Sequence, residues 1–343
     1  MSRISSLIRP NIAALAPYST ARDEYDGPIG IFLDANESPY NNGYNRYPDP
    51  HQAALKAQIA PIKGIPVENL FLGNGSDEAI DLIYRIFCEP GKDNAVIMAP
   101  SYGMYGVAAA INDIAVRPVR LGADFSLDTE ALLGACDAQT KVIYLCSPNN
   151  PSGNAFPKEQ LLDICDRFPG IVVVDEAYVD FSEKGTLAQD AVRRDNLVVL
   201  QTLSKARAMA GLRIGMAISN QEIIRYMSMV KYPYNLSRAA MEKAMAFIEK
   251  PIDNEVDVII NERKRLADVL PGYSFIQMVF PSDANFLLLR VDDADALYDY
   301  LLNEGIIVRN RTRVPGCEGC LRLTVGLPAE NDALLKALDK YTV

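Results

Sequence analysis

One histidine, His51, serves a chain of 343 residues. That scarcity closes off multi-histidine metal centres and HExxH helices, and a Ser-His-Asp triad would have to use His51 itself. His51 follows the turn sequence YPDP (47 to 50), so it is expected on or beside an exposed helix and not in a catalytic centre. Nor is there a run of the roughly 18 to 20 apolar residues that a membrane helix needs. GxGxxG and GxxxxGK(S/T) are both missing, which removes the main support for dinucleotide and nucleoside-triphosphate binding. The opening segment MSRISSLIRPNIAALAPYST contains Pro10 and Pro17, no clean apolar stretch and no secretory-type cleavage signal. It reads as an ordered arm of a cytoplasmic protein.

Charge is lopsided: 44 acidic against 34 basic side chains give a formal net charge of −10. A solvated acidic surface accounts for it, and a nucleic-acid partner would need the opposite, a concentrated basic face. Cys88, Cys136, Cys146 and Cys165 lie in or beside apolar segments and read as buried thiols of a reducing compartment. Cys317 and Cys320 form one CxxC, too few soft ligands for a zinc site, and are expected to be plain loop thiols. No metal is expected.

What is present is an alternation. NAVIMA (94 to 99), KVIYLC (141 to 146), IVVVD (171 to 175) and LVVLQ (197 to 201) are apolar on both faces, as the strands of a covered parallel sheet are. Amphipathic stretches fall between them, such as SDEAIDLIYRIF, where Ser76 is placed to cap, Asp77 and Glu78 suit the positive helix end, and Ile80, Ile83 and Phe87 share a face. The pattern predicts an α/β protein with a large doubly wound domain over residues 40–235. Residues 236–270 read as one helix or two around Pro251. Beyond them ANFLLLR (284 to 290), a helix near Asp293 to Glu304, IIVR (306 to 309) and CLRLTVG (320 to 326) suit a small α/β domain. Residues 236–343 thus form the connection and the small domain, which the arm, 1–39, is expected to join.

Ligands of open parallel sheets sit beyond the C-terminal strand ends, and polar residues collect there. IVVVD delivers Asp175. LVVLQ leads into TLSKARAMAGLRIG with Thr202, Ser204, Lys205 and Arg213. KVIYLC leads into a loop with Asn149 and Asn150, and GNGSDE sets Gly73, Gly75 and Ser76 at a helix N-terminus, where free N–H groups attract an anion. A lysine, an aspartate, a tyrosine and a phosphate cradle on one edge are what pyridoxal phosphate requires.

The segments LDANESPY (33 to 40), NRYPDP (45 to 50), GNGSDEAI (73 to 80), PSYGMY (100 to 105), SPNNPSG (147 to 153), VVDEAYVDF (173 to 181), TLSKARAMAGLRIG (202 to 215) and CLRLTVG (320 to 326) resemble, in order, those of the fold-type I aminotransferases, and within them the histidinol-phosphate aminotransferases. The resemblance implies that Lys205 carries the cofactor as a Schiff base and shuttles the proton, that Asp175 pairs with the pyridine nitrogen, and that Tyr178 and Asn150 bond its phenolic oxygen. It implies that Tyr102 stacks on the ring and that Ser76, Asp77, Thr202, Ser204 and Arg213 hold the phosphate. Tyr47 would reach the neighbouring subunit's site, making the protein a homodimer with shared active sites. Arg322 and Arg309 would form an anion pocket for the phosphate of L-histidinol phosphate and the carboxylates of glutamate and 2-oxoglutarate, with Tyr18 and Asn36 closing over the substrate. Arg311 and Arg313 receive no role. An aromatic amino-acid aminotransferase and a threonine-phosphate decarboxylase share nearly all these cofactor motifs; a cofactor-binding regulator would need a basic module for which this acidic chain has no spare segment.

Overall fold

The β-branched runs form the middle of one sheet, every residue of Ile171–Asp175 and Leu197–Thr202 being buried. The computed structural model describes residues 4–25 and 30–342. The strands of this sheet are Leu70–Asn74 (β1), Asn94–Ala99 (β2), Ala115–Arg120 (β3), Thr140–Cys146 (β4), Ile171–Asp175 (β5), Leu197–Thr202 (β6) and Ile214–Ile218 (β7). They lie in the order β1-β7-β6-β5-β4-β2-β3. Pairing is parallel from β6 through β5, β4 and β2 to β3, and only β7 runs against its neighbours. Helices cover the sheet because their apolar residues recur on one face, as Ala79, Ile80, Ile83 and Phe87 do in the helix Ser76–Phe87.

Ser76 does not cap that helix. Gly75 occupies the cap position at φ 74° and Ser76 is the first helical residue, with no side chain accepting from the first-turn amides. A positive φ is the province of glycine, so the turn leaving β1 fixes which residue sits at the cap and leaves the helix end open to a ligand.

The connecting stretch is two helices, Arg238–Phe247 and Asp253–Val269, on either side of Pro251. Beyond them Ile276–Val279 (β8), Phe286–Val291 (β9), Arg309–Asn310 (β10) and Cys320–Thr324 (β11) form an antiparallel sheet in the order β10-β11-β9-β8. The segment expected as a strand over 306–309 pairs only at Arg309 and Asn310, because Gly305 turns at φ 78° and Ile307 is left 71% exposed. Leu266, Leu297, Leu321, Leu323 and Leu334 share the core between this sheet and its helices.

The arm departs from expectation. Ile4 and Ile8 are buried in the core of the large sheet, Arg9 pairs with Glu89 at 3.1 Å, and Arg9 N–H donates to the carbonyl of Ile86 at 3.0 Å. Its start therefore docks on the large unit and not on the small one, since its two isoleucines find their apolar cover beside the helix Ser76–Phe87. Residues 1–3 and 26–29 of the arm lie outside the described residues. Among the described residues no helix is long and apolar enough to cross a membrane.

Packing of β7 against the helix end is tight enough to test. A Cβ on Gly215 would lie 2.0 Å from the Ser76 nitrogen, whereas one on Gly211 would meet nothing within 4 Å. Gly215→Ala is therefore expected to lower unfolding free energy in urea by about 1–3 kcal/mol or more, and Gly211→Ala by less than about 0.5 kcal/mol. Equal stabilities would mean that the close approach is not a constraint.

Candidate active site

Five strands end on one edge. β5 stops at Asp175, β4 runs on to Asn150, β6 leads to Ser204 and Lys205, β1 turns through Gly75 into Ser76 and Asp77, and β2 continues to Tyr102. The reversed β7 begins at Ile214, so Arg213 just before it reaches the same edge. A cavity of about 110 Å³ is lined by Gly75, Ser76, Asp77, Tyr102, Cys146, Asn150, Asp175, Ala177, Tyr178, Thr202, Ser204, Lys205 and Arg213. The cofactor-side residues expected from the sequence meet there, apart from Tyr47.

Asp175 is 2% exposed. Burial pushes its carboxyl up to about 6, against hydrogen bonds from the Tyr105 hydroxyl (2.8 Å) and the Ala177 N–H (3.0 Å) and the positive charge of Lys205, which favour the anion. Lys205 itself is held below the ordinary lysine range, first by burial and then by Arg322. A lysine so placed keeps more of the neutral, nucleophilic amine. Its Nζ lies 5.4 Å from the centre of the Tyr178 ring, and that ring meets Phe286 edge-on at 5.1 Å. The Asn150 amide donates to the Tyr178 hydroxyl at 3.4 Å, and Arg322 donates to Asn150 Oδ1 at 2.6 Å. Arg322 of the small unit is thereby tied to the edge of the large sheet.

The other side of the cavity is built for an anion. Arg213 stands 3.6 Å from Asp77 and 3.5 Å from the Ser204 hydroxyl, and Tyr102 donates to Asp77 at 3.0 Å. The Thr202 hydroxyl accepts from the Ser204 N–H at 3.1 Å. A Cβ on Gly75 would lie 2.7 Å from an Arg213 nitrogen, so glycine lets the guanidinium close over the open helix end.

Other expected residues lie elsewhere. Tyr18 is 75% exposed and outside the cavity. Asn36, with φ 54°, and Tyr47 line a separate groove, where Tyr47 stacks on Tyr234 at 4.4 Å. Arg309 is an exposed strand-end arginine directly across the ladder from Arg322. His51 bonds Asp23 at the surface, far from any of this in role. Cys317 and Cys320 are free but not plain loop thiols, being buried with Phe125, Phe280 and Leu288; among the described residues no group of metal donors forms. Sequence reasoning missed Tyr105, which holds Asp175. Tyr105 sits three residues after Tyr102 in PSYGMY, a spacing that does not set it apart from a core tyrosine.

The model of the class I and II aminotransferases matches residues 28–338. The chain belongs to the class I and II aminotransferase family. It is 51% identical over 340 residues to a histidinol-phosphate aminotransferase of Parabacteroides distasonis, covering 98% of this chain and 99% of that one. Among solved structures it is similar to the histidinol-phosphate aminotransferase of Clostridium acetobutylicum, with TM-score 0.78, 26% identity and coverage of 85% of this chain and 89% of that chain. It is similar too to the histidinol-phosphate aminotransferase of Sinorhizobium meliloti in complex with pyridoxal 5′-phosphate, with TM-score 0.78, 25% identity and coverage of 85% and 82%.

Aminotransferases of this fold use pyridoxal phosphate, and the residues of this chain fit it. A carboxylate without a hydrogen-bonded cation is costly to bury, and a protonated ring nitrogen would supply the charge missing at Asp175. The glycine-lined helix end with Arg213 suits a phosphate.

The sign of that mismatch gives a prediction. With its pKa at about 6 in the fold against 3.8 for the free side chain, Asp175 contributes stability below pH 4 and loses it as pH rises through 6. In cofactor-free protein, Asp175→Asn is expected to raise unfolding free energy at pH 8 by up to about 3 kcal/mol, with the gain gone near pH 4. Pyridoxal phosphate should remove the advantage. Denaturation at three pH values reads this, and a pH-independent difference would contradict it.

Proposed function

We propose that this aminotransferase transfers the amino group of L-histidinol phosphate to 2-oxoglutarate, giving imidazole-acetol phosphate and L-glutamate. The observation that carries the reading is the cavity lined by Lys205 and Asp175, to whose Asn150 Arg322 of the small unit donates at 2.6 Å. Relatives named histidinol-phosphate aminotransferase, one of them 51% identical over 98% of this chain and others 47% identical, support it.

Pyridoxal phosphate supplies an electron sink that makes the substrate Cα–H acidic. Ser76, Asp77, Thr202, Ser204 and Arg213 would hold its phosphate, and Tyr102 would cover its ring. Asp175, kept in place by Tyr105, would hold the proton on the ring nitrogen. Asn150 and Tyr178 would donate to its phenolic oxygen, with Arg322 polarising Asn150. Lys205 would hold the cofactor through Nζ and, once released, take the proton from Cα and deliver it to the cofactor's C4′. Arg322 and Arg309 would receive the substrate phosphate in one half of the reaction and a carboxylate of the dicarboxylic partner in the other.

Homodimeric assembly belongs to the same reading. Tyr47 lies outside its own cavity, and Tyr40, Tyr44, Tyr47 and Tyr232 are 85%, 61%, 54% and 77% exposed, more aromatic surface than a solitary subunit keeps in water. Tyr47 would complete the partner's site, while Tyr18 and Asn36 would close over the substrate. Six free cysteines, five of them buried, suit the reducing cytoplasm.

Lys205→Ala is expected to abolish transamination, and borohydride reduction with peptide mapping should find the pyridoxyl group on Lys205 in the wild type. Label on another lysine would sink the site assignment. For the substrate, Arg322→Gln and Arg309→Gln should each lower kcat/KM for histidinol phosphate roughly ten- to a hundredfold. The loss should be much smaller for histidinol, which has no phosphate. Equal losses on both compounds would place these arginines in structure, and a wild type that prefers phenylalanine would replace the substrate.

A further inference from the structure

Arg309, Arg311 and Arg322 share one face of the small sheet. In the β10–β11 ladder Arg309 faces Arg322 and Asn310 faces Leu321, and the Arg311 N–H continues it by donating to the Cys320 carbonyl at 2.8 Å. Side chains alternate along such a ladder. Leu321 and Leu323 enter the core of the small unit, while Cys320 packs with Phe125 and Phe280 on the opposite face. Arg322 and Arg311 point to that opposite face, the one turned to Asn150 and Tyr178.

These guanidinium groups lack acidic partners. The Nε atoms of Arg311 and Arg322 are buried without a hydrogen bond, and among the described residues neither they nor Arg309 pairs with a carboxylate, in a chain with ten more acids than bases. Burial, then the neighbouring Arg322 and Arg309, lowers the proton affinity of Arg311. Arg311 and Arg322 both lie near enough to Tyr178 to favour its ionised form. Arg313, two residues on, is exposed. A half-buried cluster of like charges with no counter-ion is stable only with an anion to share.

We propose that Arg311 determines specificity: its guanidinium gives the Arg309–Arg322 pocket a third charge, which selects a dianionic phosphate over a singly charged carboxylate. The proposal rests on the histidinol-phosphate reading above. A phosphate monoester carries close to two charges at neutral pH and three acceptor oxygens. Two guanidinium groups match that charge but leave acceptor sites on the three oxygens open, and the third supplies donors for them; a carboxylate, with two oxygens and one charge, is matched without it.

The test compares wild type, Arg311→Gln and Arg311→Lys as holoenzymes. Arg311→Gln is expected to lose roughly ten- to a hundredfold in kcat/KM for histidinol phosphate, and several-fold less for histidinol and for the glutamate half-reaction. Inhibition by inorganic phosphate should weaken in parallel while inhibition by acetate changes little, and Arg311→Lys should keep most of the phosphate preference. Equal losses on all three substrates, with phosphate inhibition unchanged, would overturn the role of Arg311 and leave the substrate reading standing. Should wild type not accept histidinol phosphate, that reading falls instead. The phosphate-against-acetate comparison then decides Arg311 alone: selective weakening of phosphate supports it and no change overturns it. If Arg311→Gln does not fold, the same comparison is made with Arg311→Met: selective weakening of phosphate inhibition there supports the role of Arg311, and unchanged inhibition overturns it.

Discussion

A carboxylate buried at the end of a central strand organises this molecule. Asp175 ends a strand flanked by two parallel neighbours, β4 and β6, and is 2% exposed. It is tolerable there only because Tyr105 and the Ala177 N–H bond it and positive charge gathers opposite. Lys205, one strand along, is the nearest supply of that charge and is itself held back from full protonation by burial. Burial shifts both groups toward their neutral forms, and a protonated ring nitrogen held beside Asp175 would supply the charge its carboxylate lacks.

Around that pair the backbone does as much as the side chains. Gly75 and Gly215 let strand, turn and helix end approach more closely than any Cβ allows. Reversal of β7 sends the chain from Lys205 back to Arg213, so that one short segment supplies both the amine and the phosphate-side guanidinium. A parallel β7 would have needed a crossover, and Arg213 would have lain at the far edge of the sheet.

Under the proposed function the small unit would contribute selectivity through its own geometry. Arg322 reaches Asn150 across the unit boundary at 2.6 Å, which would link recognition of the substrate's anion to the group beside Tyr178. A shift between the two units that lengthened this bond would then alter both binding and the electronics of the cofactor site, a coupling that neither unit holds alone.

Residue pattern by itself determined β2, β4, β5 and β6, because a strand buried on both faces can only be a run of apolar, β-branched residues, and it missed β3, whose AVRPVR buries only Val119. It also determined the edge at which Asp175 and Lys205 appear, since a parallel sheet presents all its C-terminal ends together. What pattern could not determine was distance between segments far apart in the chain. Tyr105 bonds Asp175 across 70 residues of sequence, and nothing local distinguishes it from a core tyrosine. The arm's isoleucines read as apolar in either unit, and only the folded structure, in which the Arg9 N–H bonds the Ile86 carbonyl, puts them in the core of the large one. Arg309, Arg311 and Arg322 were three arginines in a string of letters. The antiparallel register of β10 and β11 turned them to one face, because pairing sets which side chains meet, and pairing is a property of the folded sheet.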